Sequence, residues 1–460
     1  MSLPVIHDYL KPGLHAHLIG IGGVSMCPLA QALQRAGMTV TGSDMRESEA
    51  VQALRAGGIT VFIGHAADNI RGADLLIRTA AVHDDNPEVL AARQKGIPVF
   101  ERAQAWGSLM QSYRNAVCIA GTHGKTTTTS MVTHIAMAAG SDPTVMIGGT
   151  LPLLGSGFRV GHGETIILEA CEYRNSFLSF YPTVAVLLNV EEDHLDFFRD
   201  QADIERSFRA FAELTPAEGS VVANADDPGV SSTLKGLERP VLTFGFEHPA
   251  RVRGEELTFT NGRAAFTVTA DGKPYAHIVL PVPGRHNACN ALAAAATAYA
   301  LGIPGSAVEE GLAAFRGAGR RFEFKGTYNG ADIYDDYAHH PSELRALLTM
   351  VMTLGYRRVI CAFQPHTYTR TKALFDDFVT ELRRPDLTLL AEIYAAREKN
   401  DIGIYSADLA AKIPGARVLP TLPELTEALR ELAQPGDLIL TVGAGDIYTV
   451  GEALAVSADA

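Results

Sequence analysis

Residues 119–130 read IAGTHGKTTTTS and follow the apolar run NAVC of residues 115–118. A buried strand that breaks at a glycine turn and restarts as a helix headed by Gly-Lys-Thr has the make-up of a phosphate-binding loop. Gly121 and Gly124 let backbone N–H groups turn toward an anion, and the dipole of the following helix favours negative charge there. Lys125 can reach terminal phosphates, and the Thr126 hydroxyl suits a magnesium ion. The eight-residue pattern G-x-x-x-x-G-K-[ST] would require glycine at 119, where Ile119 stands, so only the outer glycine is missing. The stretch predicts an ATP site formed by Gly121, Thr122, His123, Gly124, Lys125, Thr126 and Thr127, mounted on an open α/β sheet.

Upstream, HAHLIGIGGVSMCPLAQALQRAGMTVTGSD (15–44) reads as strand, glycine turn, amphipathic helix and second strand, one βαβ unit. Gly20, Gly22 and Gly23 lie on the turn, Val24 follows, and Ser25 takes the third glycine's place in G-x-G-x-x-G. Asp44 ends the second strand, where an acidic side chain meets a ribose hydroxyl. This second phosphate cradle lacks a lysine and reads as a handle for a nucleotide that is held, not cleaved. Downstream, FTNGRAAFTVTADGKPYAHIVLPVPG carries Asn261-Gly262 and Asp271-Gly272 as hairpin turns of a small antiparallel appendage. Beyond the glycine-rich joint FRGAGRRFEFKG, strands DIYDDYA, RVICAFQP, LTLLAEIY and DLILTVGAG alternate with helices. The predicted architecture is α/β in three domains: a Rossmann-like unit (1–107), a central P-loop ATPase-like unit with the appendage (108–318), and a second Rossmann-like open sheet (319–460).

Composition limits what these motifs can mean. The chain has 460 residues, 47% of them hydrophobic and 20% charged, which is globular and long enough for several domains. A net charge of −13 argues against general nucleic-acid binding, which relies on clustered Lys and Arg. No apolar run approaches the ~18 residues of a membrane span, and MSLPVIHDYLKPG lacks the basic start and apolar core of a leader, so no membrane insertion and a cytoplasmic protein are expected. Five scattered cysteines without C-x-x-C spacing suggest neither disulfides nor zinc and fit a reducing compartment.

A magnesium site needs carboxylates at strand ends next to the loop. ETIILEACEY ends a strand at Glu169, with Glu172 beyond it, and Glu169 leaving an apolar run is the sharper ligand, because a carboxylate there is costly unless paired. TVAVLLNVEEDHLDFF ends in Glu191, Glu192, Asp193, His194 and Asp196, of which Glu191 and Glu192 read as solvated loop charges or helix caps. Asn287 and Asn290, three apart at a helix entry, either read an adenine edge or steady the loop. Arg320 and Arg321 lie at the joint, where a guanidinium can meet developing phosphate charge. Asp336, Tyr337, His339, His340, His366 and Arg370 cluster after two strands of the last domain, with His340-Pro341 also readable as a helix start.

In order along the chain, HLIGIGGVSM, GTHGKTTTT, NVEEDHLD, GRHNACNALAA, GRRFEFKG, DDYAHHP and FQPHTYTRT resemble the Mur ligase family. The six-residue loop is that family's form. The resemblance implies that ATP, with Mg²⁺ or Mn²⁺, phosphorylates the lactyl carboxylate of UDP-N-acetylmuramate in peptidoglycan precursor synthesis. The amine of L-alanine then attacks the acyl phosphate; a murein tripeptide is the alternative nucleophile. It further implies that Lys125, Glu169, His194 and Arg321 are catalytic, and that Thr126, Glu169 and His194 hold metal. Asn287, Asn290, Arg321 and Asp336 would meet ATP; Gly20, Gly22, Gly23, Val24, Ser25 and Asp44 the UDP-sugar; Tyr337, His339, His366 and Arg370 the amino acid. Monomer and homodimer both remain open. Two segments depart from the family pattern. Glu169-Ala-Cys-Glu-Tyr-Arg174 replaces E-A-D-E-S-D, and Thr367 stands where many relatives have arginine.

Overall fold

The computed structural model describes residues 5–456, except residues 80, 195, 196 and 397, so Asp196 lies outside the described residues. Three sheets follow one another. The first holds β1 (His15–Ile19), β2 (Thr39–Asp44), β3 (Thr60–Ile63), β4 (Leu75–Arg78) and β5 (Val99–Glu101) in the order β3-β2-β1-β4-β5, all parallel. Strand order reverses direction beside β1, and the glycine turn that follows β1 therefore opens onto the crevice where such sheets take ligands.

The central sheet comprises β6 (Asn115–Ala120), β7 (Thr144–Leu151), β8 (Ser156–Arg159), β9 (Thr165–Glu169), β10 (Val184–Leu187), β11 (Ser220–Asn224), β12 (Val241–Gly245), β13 (Val252–Thr260), β14 (Arg263–Ala270) and β15 (Lys273–Pro283). Its order is β15-β14-β13-β12-β11-β10-β6-β9-β7-β8. The antiparallel strands β13 to β15 thus extend the central sheet, because β12 pairs with β13 in parallel. Their turns are the Asn261-Gly262 and Asp271-Gly272 pairs, and all four residues have the positive φ of a type I′ hairpin. The strand β6 lies at the centre, buried on both faces, as its uninterrupted apolar run requires.

The last sheet, β16 (Glu323–Tyr328), β17 (Ala331–Asp336), β18 (Arg358–Phe363), β19 (Leu387–Leu390), β20 (Arg417–Val418) and β21 (Asp437–Val442), runs β16-β17-β21-β18-β19-β20. Only β16 is antiparallel. Register decides what shares a site. Ile119 pairs with Glu169 across β6 and β9, and Ala120 with Leu187 across β6 and β10, so the phosphate loop, Glu169 and the segment after Leu187 leave the sheet side by side. Asp336 and Phe363 both pair with Val442, which brings the segments after β17 and β18 together in the same way.

The first and central sheets meet through the helix Arg102–Met110, whose Gly107 lies flat against the Ser179 carbonyl; a Cβ on Gly107 would sit 1.8 Å from that oxygen. Gly107→Ala forces this junction apart. A loss of about 1–3 kcal/mol is expected for such overpacking, seen as a lowered thermal transition, whereas Gly96→Ala, where nothing lies within 4 Å, should strain only its own turn.

Candidate active site

Gly121 closes β6 with φ +152°, and its α-carbon backs onto Leu188 and Asn189. Asn189 clamps the loop. Its backbone carbonyl accepts from Thr122 N–H at 3.2 Å, its Oδ1 from His123 N–H at 2.7 Å, and its Nδ2 donates to the His123 carbonyl at 3.1 Å. Gly124 has φ +82° and caps the helix Lys125–Ala138; a Cβ there would meet Asn290 Oδ1 at 2.5 Å. Asn290 therefore packs over the loop, and Asn287 donates to the Pro283 carbonyl at the entrance of its own helix.

The Lys125 ammonium is turned back into the loop, donating to the Gly121 and Thr122 carbonyls and to Glu172 Oε2 at 3.0 Å. Burial opposes its charge, but Glu172 outweighs burial and raises its pKa, so Lys125 is a fixed cation. Beside it, Thr126 Oγ1 donates to Glu169 Oε2 at 2.9 Å, and the same oxygen accepts from Gly148 N–H at 2.8 Å. Two hard oxygens at the head of a phosphate loop are a fitting donor set for Mg²⁺. His194, with φ +55°, lies against the Tyr173 ring at a 37° tilt and points Nε2 at Glu172 Oε1, 3.7 Å away, and at Asp193 Oδ2, 3.8 Å away.

The C-terminal sheet closes over this group. Arg370 Nη2 and Nε reach Asp193 Oδ1 at 3.0 and 3.2 Å, and its Nη1 lies 3.2 Å from His366 Nδ1. Burial would raise the Asp193 pKa; Arg370 overrides it and holds the carboxylate well below its usual range. Burial pushes both His339 and His366 down to about 4, so both rings are neutral. Glu343, third residue of the helix Pro341–Val351, is the hub. Its carboxylate lies 3.3 Å from His123 Nδ1, 3.3 Å from His339 Nδ1 and 3.8 Å from Arg321 Nη1, and it caps the helix begun by His340. Tyr337 is flanked by the guanidinium groups of Arg320 and Arg321, 4.9 and 5.2 Å from its ring centre. Between the sheets lies one cleft of about 1140 Å³, whose lining includes Lys125, Thr126, Glu169, His194, Arg321 and Arg370.

Several sequence-predicted residues also have partners within the chain. The Asp336 carboxylate accepts from the backbone N–H groups of Phe322 and Ala338, both at 2.8 Å, and burial pushes its pKa to about 6; it braces the joint and does not line the cleft. Asp44 Oδ2 accepts from Gly22 N–H at 2.9 Å and so buttresses the glycine turn, on which Val24 is exposed. The Ser25 carbonyl accepts from the Trp106 indole. Glu191 is the part-exposed loop charge its sequence suggests, and its carboxylate also lies 3.4 Å from His123 Nε2. Thr367 adopts φ +67° and ψ 144°, a conformation costly for a β-branched residue. Sequence reasoning missed Asn189, Glu343 and the Asp193–Arg370 pair. Asn189 had one legible sign, being the first polar residue after an apolar strand.

An α/β loop with lysine, hydroxyl and carboxylate in these positions, faced by an arginine-bearing domain, is the site of an ATP-using enzyme class. Family models describing the Mur ligase family catalytic domain, the Mur ligase middle domain, and the Mur ligase glutamate ligase domain match residues 15–114, 119–298 and 320–445. The chain belongs to the Mur ligase family. It is 45% identical over 453 residues to a UDP-N-acetylmuramate–L-alanine ligase of Agathobacter rectalis, covering 97% of this chain and 98% of the relative. It is 44% identical over 456 residues to the protein of that name from Clostridium novyi, covering 98% and 99%. Among solved structures it is similar to a UDP-N-acetylmuramate-alanine ligase of Thermotoga maritima, with TM-score 0.79, 29% identity, and 97% and 99% of the two chains covered. A murein peptide ligase of Psychrobacter arcticus superposes with TM-score 0.72 at 26% identity, covering 97% and 98%.

The sign of the His123 shift sets a pH dependence. Burial disfavours its charge, but Glu191 and Glu343 outweigh burial and raise its pKa to about 9. A histidine raised in the folded state contributes stability that is complete below its unfolded value near 6.5 and is lost as pH rises from there through 9. The His123 ring should titrate near 9 by NMR, and Glu343→Gln should lower the midpoint by about one unit or more.

Proposed function

We propose that this chain is an ATP-dependent ligase that joins L-alanine to the lactyl carboxylate of UDP-N-acetylmuramate, a step of peptidoglycan precursor synthesis. The observation that carries the reading is the single cleft in which Lys125, Thr126 and Glu169 face Arg321 and Arg370. The relatives, 45% and 44% identical over nearly the whole chain and bearing the alanine-ligase name, support L-alanine over a murein peptide as nucleophile.

The chemistry follows from the groups present. A carboxylate is a poor electrophile, so one of its oxygens takes the γ-phosphoryl group of ATP, releasing ADP and leaving an acyl phosphate. The unprotonated amine adds to the carbonyl carbon, and the tetrahedral intermediate expels phosphate to leave the amide. In this reading Lys125 binds the transferring phosphoryl group once the phosphates draw it away from Glu172. The main-chain donors of Gly121 to Thr127 cradle the phosphates, which they match in charge. Thr126 and Glu169 would hold Mg²⁺ or Mn²⁺, with His194 nearby; when bound, the ion neutralises phosphate charge. Arg321, tethered by Glu343, steadies the same charge from the C-terminal side. Arg370 takes the alanine carboxylate, with Tyr337, His339 and His366 around it. The turn Gly20 to Ser25 holds the UDP diphosphate, and Asp44 is placed for a ribose hydroxyl. Asn287 and Asn290 line the approach to the adenine, and Asp336 braces the joint.

The same proposal divides the chain at 107/108 and 318/319 into UDP-sugar, ATP and amino-acid domains. It also places the protein in the cytoplasm. Among the described residues, no helix is long and apolar enough to cross a membrane, and the five cysteines are unpaired.

Purified protein given ATP, Mg²⁺ and UDP-N-acetylmuramate should release ADP with L-alanine. Release only with the murein tripeptide would instead make it the recycling ligase. Lys125→Ala should lower kcat by on the order of 10²–10³-fold or more, and should also lower the thermal transition, because it leaves the buried Glu172 carboxylate without its cation. Arg370→Lys should raise KM for L-alanine by about tenfold or more, because an ammonium cannot replace a guanidinium fork, and should leave KM for ATP nearly unchanged.

A further inference from the structure

The ring of His123 has a second neighbour that the ligase reaction does not use. One ligand atom each from His123, Glu191 and His340 lies within 4.8 Å of those of the other two. The two imidazole rings are 5.0 Å apart at an angle of 41°. The Ser342 hydroxyl lies between them, 2.8 Å from His123 Nε2 and 2.8 Å from His340 Nδ1. The opposite nitrogen of each ring is oriented by an oxygen. His123 Nδ1 faces the Glu343 carboxylate at 3.3 Å, and His340 Nε2 donates to the Glu192 carbonyl at 3.1 Å. That donation fixes the His340 tautomer with its Nδ1 lone pair toward Ser342, where it also accepts from Ser342 N–H. Outer oxygens that orient both rings of a histidine pair are the usual support of a transition-metal site.

We propose that His123, Glu191 and His340 form a binding site for Zn²⁺ or a similar borderline transition-metal ion, separate from the oxygen ligands Thr126 and Glu169. Two imidazoles and one carboxylate suit Zn²⁺ and leave a fourth position for the Ser342 hydroxyl or water. His123 and Glu191 belong to the central sheet region and His340 to the C-terminal one, so a bound ion ties the two together. Because His123 is part of the phosphate loop, the ion also pins that loop. The site is inhibitory: it holds the cleft in its closed form and slows turnover when such metal is in excess.

The test uses the full chain in millimolar Mg²⁺ with Co²⁺ as a spectroscopic probe. A visible absorption band of a four-coordinate, nitrogen-containing Co²⁺ site should appear at one ion per chain and be displaced by Zn²⁺. It should persist in Thr126→Ala and be lost in both His340→Gln and Glu191→Gln, each checked for an unchanged thermal transition. A band that survives His340→Gln, or no band at all, overturns the proposal. In turnover, Zn²⁺ should inhibit the wild type reversibly, relieved by a zinc-selective chelator, and His340→Gln should need at least about tenfold more Zn²⁺. Equal Zn²⁺ sensitivity of the two proteins would place inhibition at the catalytic oxygens and overturn it. The binding arm stands without the substrate assignment; the turnover arm rests on the ligase reading.

Discussion

The Lys125 ammonium, turned back onto two carbonyls and Glu172, is the interaction around which the site is arranged. A buried cation without a partner would be untenable, and Glu172 keeps it charged where phosphate charge is to arrive. Because Glu172 also faces His194, the same carboxylate couples the loop to the segment after β10. The departure of residues 169–174 from the family pattern leaves this coupling in place. Arg174 and Asn175, both with positive φ, kink the chain just after Glu172.

Glu343 performs the corresponding task from the other side. One carboxylate meets His123 of the phosphate loop, His339 of its own domain and Arg321 of the joint, and it is held well below the usual carboxylate range despite burial. Closure of the C-terminal sheet over the loop is thus an electrostatic event, with one anion shared by groups from three segments. Asp193 and Arg370 make a second such contact across the cleft, one that a substrate carboxylate can enter by competing for the guanidinium.

Much of this was legible in sequence. The glycine turn after β1, the loop after β6, both Asn-Gly and Asp-Gly hairpins, and the His340-Pro341 helix start follow from local rules of φ, capping and hydrophobic period, and each lies where its residues imply. Local rules failed wherever the partner is distant. Asp336, which the resemblance makes a nucleotide or closure residue, accepts from the nearby Ala338 N–H and also from that of Phe322, a contact across the joint that no local rule supplies. Glu191 is part-exposed as a loop charge, but no local rule pairs it with His123, 68 positions away in sequence.

The sequence by itself determined the kind of elements, their order, and the chemistry available at each strand end, since backbone preference and side-chain type act over a few residues. Only the tertiary structure decided which of those groups meet. Strand register sets Glu169 against Ile119, and the packing of one sheet on another sets Arg370 on Asp193 and Glu343 on His123. Those meetings depend on long-range pairing and burial, which reverse the ordinary charge preferences of buried groups, and no window of neighbouring residues carries that information.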